Sequence, residues 1–215
     1  MTEEKKYREI RKKILNWYDR NHYDYAWRKT NDLYKILITE ILLQKTIASN
    51  VQNIFNDFFK KYPDFTHILN VDISEIQSDI KRLGLSNKRS QILKDLSHMI
   101  LNEYGGKIPN DADALKKING IADYVSNAYL CFGLNKRTFF YDVNIKRFLS
   151  RIFKFPDLKV TIVDIEENLE KLLPESDCKF LYWAILDFGN KICTKKNPKC
   201  EDCPISLECN YYSNM

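Results

Sequence analysis

Apolar residues recur at intervals of three and four along nearly the whole chain, and no stretch alternates in the way a half-covered strand does. The spacing predicts helices over residues 3–22, 32–45, 47–61, 73–83, 87–104, 111–117, 121–132, 142–153, 161–173 and 177–191. The fold class is therefore all-α. Gly84, Gly120, Gly133 and Gly189 fall at or near the ends of these segments, and Gly105-Gly106 lies between two of them, where the chain needs left-handed backbone. No internal repeat, low-complexity tract or flexible linker interrupts the pattern.

One charge breaks it. Positions 33, 36, 37, 41 and 44 share a helical face, and Glu40 lies inside that face. A glutamate there either reaches solvent from the edge of the stripe or is buried, and a lone buried charge is strongly disfavoured unless it is paired or protonated. In the buried case its pKa rises and it keeps a proton near neutral pH, available to a leaving group.

The 215 residues are 44% hydrophobic, enough to bury a core as one domain or as two small lobes. The opening stretch MTEEKKYREIRKKILNWYDR lacks the apolar run of a secretory signal, and no run approaches the roughly 18 apolar residues of a membrane span. The expectation is an intracellular monomer with no membrane partner, in a compartment that keeps thiols reduced. Net charge is +5, and the basic residues gather in KRLGLSNKR (81–89), NKR (135–137), KRFLSRIFK (146–154) and KICTKKNPK (191–199). Such clusters suit either solvated helix faces or a phosphate backbone bound with counterion release.

Four of the six cysteines crowd into residues 193–209 with the spacing Cys193-x6-Cys200-x2-Cys203-x5-Cys209. Reducing conditions argue against disulfides, which leaves a metal centre. Four thiolates brought together by local chain fit a [4Fe–4S] cubane or tetrahedral zinc, although structural zinc usually uses two short C-x2-4-C knuckles and this loop has one. Cys131 and Cys178 lie in apolar helical settings and read as core.

This closing loop resembles that of the endonuclease III and MutY group of DNA glycosylases, the helix-hairpin-helix superfamily. The resemblance runs over about residues 12–212 and implies a [4Fe–4S] cluster on Cys193, Cys200, Cys203 and Cys209, structural or redox-sensing, with no part in base excision. It implies a two-lobed fold: a six-helix lobe over residues 31–140, and a cluster lobe made of residues 141–215 with the N-terminal helix in 1–30. The family hairpin L-P-G-V-G-x-x-T-A, which presents backbone amides to a DNA phosphate, is matched by Ile118-Asn119-Gly120-Ile121-Ala122-Asp123-Tyr124-Val125-Ser126 at Gly120 and at the two apolar positions. Asn119, Ala122 and Val125 depart from it, and Ala122 in place of the second glycine calls for a changed backbone, or strain, if that position has positive φ.

Tyr141-Asp142-Val143-Asn144-Ile145-Lys146-Arg147 is similar to the family segment V-D-x-N-x-x-R, whose aspartate is essential. Asp142 also stands where a helix N-cap is wanted, and the helix dipole favours its anion. An anion there would stabilise the oxocarbenium-like state of N-glycosidic cleavage and orient or deprotonate the attacking water. ITEILLQKT, residues 38–46, aligns with the segment that carries a catalytic glutamate in the MutY branch and in mismatch thymine glycosylases, which implies Glu40 as proton donor. Lysine at position 124 would mark an endonuclease III-like lyase, and serine a MutY-like enzyme. Tyr124, the residue of the Mig-type thymine glycosylases, cannot form a Schiff base, so water is the nucleophile. Tyr25-Ala26-Trp27-Arg28-Lys29-Thr30 and Gly84-Leu85-Ser86-Asn87 resemble the same branch.

The resemblance further implies base flipping, with Gln44, Lys45 and Leu85 probing the stack, Asn144 and the Gly120-Ile121-Ala122 turn on DNA, and Glu40, Tyr124 and Asp142 facing a cleft between lobes. The implied partner is double-stranded DNA with a mismatched or damaged base, and the implied reaction is monofunctional excision of thymine or uracil opposite guanine. Two rivals remain. One is an adenine or other damaged-base glycosylase of MutY type lacking the C-terminal 8-oxoguanine domain; the other is a DNA-binding module without catalysis.

Overall fold

In the computed structural model, which describes residues 2–154 and 161–215, the described residues form helices and turns and no strand. In chain order the helices are α1 (Glu3–Asn21), α2 (Leu33–Leu43), α3 (Ala48–Lys61), α4 (Phe65–Asn70), α5 (Ile73–Asp79), α6 (Ser86–Glu103), α7 (Ala112–Lys116), α8 (Asp123–Leu134), α9 (Val143–Leu149), α10 (Ile162–Leu172), α11 (Cys178–Lys191) and α12 (Asn210–Ser213). Short 3₁₀ turns cover Ala26–Arg28, Lys81–Leu83 and Ser206–Glu208, and α9 runs on into a π-helical turn, Ser150–Lys154. Two helices, α4 and α12, stand where periodicity predicts none. α4 has six residues, too few for a period to register; it forms because the Asp64 carboxylate accepts from His67 N at 2.9 Å while Phe65 and Ile68 are buried. The predicted segment 73–83 breaks at Ile80, whose φ of −98° and ψ of 8° end α5 and start the 3₁₀ turn.

The chain forms two compact units, Asp24–Leu134 on the one hand and Met1–Tyr23 with Asn135–Met215 on the other. In the unit 24–134, α2 is the centre, packed by α3, α6 and α8. Asp32 starts it by accepting from Tyr34 N (3.0 Å) and Lys35 N (3.2 Å), and Leu37, Ile38 and Ile41 are fully buried. Because α2 is apolar on nearly every side, eight of its eleven residues are buried, Glu40 among them. The aromatic face of α3, with Phe55, Phe58 and Phe59, closes this core beside Tyr34, whose hydroxyl donates to Tyr62 O at 2.7 Å.

In the other unit α1 packs on α10 and α11, and α9 packs on α11. Trp17 meets the edge of Phe188 at 5.1 Å, and the buried Asp187 accepts from Tyr23 N at 2.8 Å, fixing the chain just past α1. Gly189 lets α9 come close: a Cβ there would stand 3.2 Å from Asn144 Cβ and 3.3 Å from Arg147 Nη2. That approach positions the Asp142 segment.

Candidate active site and cysteine loop

Glu40 lies on α2 at 3% exposure, so the buried reading holds and the edge-of-stripe reading does not. Its Oε2 has no hydrogen-bond partner among the described residues. Burial raises its pKa to about 8, against an opposing pull from the guanidinium of Arg28. Arg28, in the 3₁₀ turn Ala26–Arg28, also lies 5.0 Å over the Tyr25 ring, which stacks on Trp27 at 4.4 Å. Sequence reading gave Arg28 no role of its own.

Three turns gather around the ends of α2, α6 and α8. After α2 the chain turns at Gln44, and Lys45 is exposed at φ +52°. The Gln44 side-chain amide donates to Gly120 O at 3.1 Å, which brings the first turn onto the hairpin. Gly84 (φ +74°) and Leu85 (φ +50°) form the second turn, leaving the Leu85 side chain half exposed, at 51%, in front of α6. In the hairpin only Gly120 has positive φ (+102°), and a Cβ there would meet Ile92 Cδ1 of α6 at 2.3 Å. Ala122 lies outside the left-handed region, so its replacement of a glycine needs no strain. Ile121 is buried and its amide is used within the turn, donating to Ile118 O at 3.0 Å; Ala122 is exposed, and its carbonyl accepts from Ser126 N at 3.2 Å. Tyr124 is half-buried in the first turn of α8, which packs on α2.

In the other unit Asp142 caps α9. Its Oδ1 accepts from Asn144 N and Ile145 N, both at 2.8 Å, and its Oδ2 accepts from Asn144 Nδ2 at 2.8 Å. Asn144 Oδ1 accepts in turn from Arg147 Nη2 at 2.9 Å, and Arg147 also donates to Gly189 O (2.8 Å) and Cys193 O (2.9 Å). One polar chain thus runs from the Asp142 carboxylate to the cysteine loop.

Cys193, Cys200, Cys203 and Cys209 line one pocket, with Phe148, Ile152, Phe188 and Arg151 among its other walls and neither carboxylate nor imidazole. Among the described residues no three His, Cys, Asp or Glu side chains are grouped tightly enough for a single ion. Burial raises the Cys203 thiol to about 12, and the other three cysteines add to the rise. Arg151 donates to Cys193 Sγ at 3.3 Å and to Thr194 O at 2.7 Å. A thiol-only, largely apolar pocket with a cation beside one sulfur suits a thiolate-ligated cluster of net negative charge. Cys131 and Cys178 are buried and are not among its walls, as read from sequence.

The basic clusters hold both exposed and engaged cations. Lys81, Lys88, Lys146, Lys195, Lys196 and Lys199 are exposed, but Arg89, Arg147 and Arg151 spend their guanidinium groups on backbone carbonyls. Each of these three guanidinium groups is thus engaged by at least two backbone carbonyls, so neither the solvated-face nor the phosphate-facing reading of the clusters describes them. Periodicity holds a signal for Arg89, which lies three and four residues before the buried Ile92 and Leu93 and so on the inner face of α6.

Residues 38–175 match the HhH-GPD superfamily of base excision DNA repair proteins. The thymine/uracil-DNA glycosylase of Methanothermobacter thermautotrophicus is 38% identical over 201 residues, which are 93% of this chain and 91% of that one. The protein of the same name from Pyrobaculum aerophilum is 32% identical, over 93% and 90% of the two chains. Among solved structures, a thermostable thymine-DNA glycosylase superposes with a TM-score of 0.92 at 36% identity, covering 98% of each chain.

Proposed function

We propose, because this chain belongs to the HhH-GPD superfamily of base excision DNA repair proteins, that it is a DNA glycosylase hydrolysing the N-glycosidic bond of thymine or uracil mispaired with guanine. The observation that carries the reading is the carboxyl of Glu40, buried at 3% exposure with a pKa raised to about 8 on a mostly apolar helix. A group held protonated at neutral pH, with one oxygen unengaged, is equipped to give its proton to a departing nucleobase.

As the C1′–N bond breaks, its electron pair leaves with the base, which takes up the Glu40 proton. The sugar is left as an oxocarbenium ion. Asp142, whose carboxylate already accepts three hydrogen bonds and is fixed through Asn144 and Arg147, stabilises that cation and takes a proton from the water that adds to C1′. Tyr124 offers no amine, so no Schiff base forms and the product is an abasic site in an intact strand. The half-exposed Leu85 supplies an apolar wedge, Lys45 and Gln44 a second probe, and the Gly120-Ile121-Ala122 turn with Asn144 contacts to the backbone. Cys193, Cys200, Cys203 and Cys209 would hold a [4Fe–4S] cluster, which supplies structural cross-linking and one-electron redox sensitivity, not a step of base release.

The test is base release from T·G, U·G and A·8-oxoguanine duplexes, with Asp142→Asn in parallel. Release of thymine or uracil, lost in the variant while DNA binding stays, is the expected result. Release of adenine alone would transfer the site to the MutY type, and undiminished turnover by Asp142→Asn would refute its assigned role.

A further inference from the structure

Arg89 is 1% exposed in the first turn of α6. Its Nη1 donates to Leu83 O at 2.9 Å and to Gly84 O, and its Nη2 donates to Gln44 O. Two turns distant in sequence, Gln44-Lys45 and Leu83-Gly84-Leu85, therefore hang on one guanidinium. Among the described residues no carboxylate pairs with it. A cation at a helix N-terminus opposes the macrodipole, and burial without a counter-ion is costly. Desolvation accordingly lowers its pKa. Three carbonyl dipoles offset that cost. What the arrangement gains is geometry, because the turns it holds contain Lys45 (φ +52°), Gly84 (φ +74°) and Leu85 (φ +50°). Two of these are non-glycine residues in the left-handed region, a conformation kept only where the surroundings over-determine it.

We infer that Arg89 is a positioning residue that locks the Gln44-Lys45 turn and the Leu85 tip into one two-pronged surface for parting the DNA stack. The inference rests on the glycosylase reading above. The Gln44 amide extends the lock to Gly120 of the hairpin, so that the three turns which that reading places on DNA are tied to one another. A wedge and a probe fixed relative to one another push on adjacent bases together, and the work of unstacking is then not absorbed by loop movement. Arg89 touches no DNA in this account.

The experiment uses Arg89→Met and, in case that variant folds poorly, Arg89→Lys, which puts one ammonium in place of the two nitrogens that hold one turn each. Hydrogen exchange is followed at Thr46 and Gly84, whose amides close the two turns by donating to Leu43 O and Lys81 O. Both are expected to exchange about tenfold faster or more in Arg89→Met, as loss of hydrogen bonds to a charged group implies; in Arg89→Lys at least one does. On a T·G duplex carrying 2-aminopurine beside the mismatch, binding is expected to change by less than the single-turnover rate, and the fluorescence rise that reports unstacking is lost. A variant that keeps wild-type exchange at both amides, or one that keeps the full fluorescence rise, overturns the inference. A wild-type protein that releases no base and gives no rise would overturn the glycosylase reading, while the exchange arm still decides whether Arg89 couples the turns.

Discussion

The side-chain amide of Gln44 donates to the backbone carbonyl of Gly120 at 3.1 Å, tying the turn that ends the Glu40 helix to the turn between α7 and α8. Gly120 is where that junction is most easily broken. Its φ of +102° disfavours any side chain, and an alanine Cβ would come within 2.3 Å of Ile92 Cδ1. Gly120→Ala should lower stability by about 1–3 kcal/mol and weaken duplex binding. Adding Ile92→Ala relieves the clash but leaves the backbone strain, so thermal melts of the single and double variants separate the two. Equal melting of Gly120→Ala and wild type would contradict this account of the hairpin.

The buried Glu40 predicts a particular pH dependence. Its folded-state pKa of about 8 exceeds the ordinary value of 4.5, so between these values the folded state binds more protons than the unfolded one. Stability contributed by the neutral carboxyl is full below 4.5 and is lost as pH rises through about 8. Excision should fall over the upper part of that window as the proton donor ionises. Glu40→Gln should lose about 10²–10⁴-fold in rate, and its melting temperature should vary less between pH 5 and pH 9 than the wild-type value. A wild-type excision profile flat to pH 9 would remove the case for Glu40 as an acid.

Arg28 acts on Glu40 in the opposite sense to burial, favouring the ionised carboxyl. Arg28→Met should therefore move the descending limb of the pH–rate profile upward, to more alkaline pH. Arg28→Lys, which keeps a charge, should move it less. A downward shift in Arg28→Met would show that the guanidinium does not govern this carboxyl.

For the cysteine loop, aerobic purification should yield a coloured protein with iron and acid-labile sulfide in equal amounts. Cys203→Ser should lose both and melt earlier, since a bound structural metal centre adds its binding free energy to folding. Zinc without sulfide would replace the cluster by a structural zinc. Cys131→Ser and Cys178→Ser, in the core, should leave the metal content unchanged.

Helix positions were written in the chain because each helix is made by bonds between residues four apart and begins at caps such as Asp32, Asp111 and Asp142 that lie next to it. The four-cysteine spacing was legible for the same reason: its ligand set is local. Short α4 escaped, since six residues carry too little periodicity. Glu40 inside an apolar stripe, and Arg89, Arg147 and Arg151 in basic runs, are charges that the sequence leaves able to reach water. Tertiary structure decided how far each of these charges is covered. Their burial, full for Glu40 and Arg89 and partial for Arg147 and Arg151, depends on which distant segments cover them: α8 over α2, the Gln44 turn over Arg89, the 193–195 backbone over Arg147 and Arg151. Solvation of a charge is set by everything around it, and that neighbourhood is assembled by contacts between residues far apart along the chain.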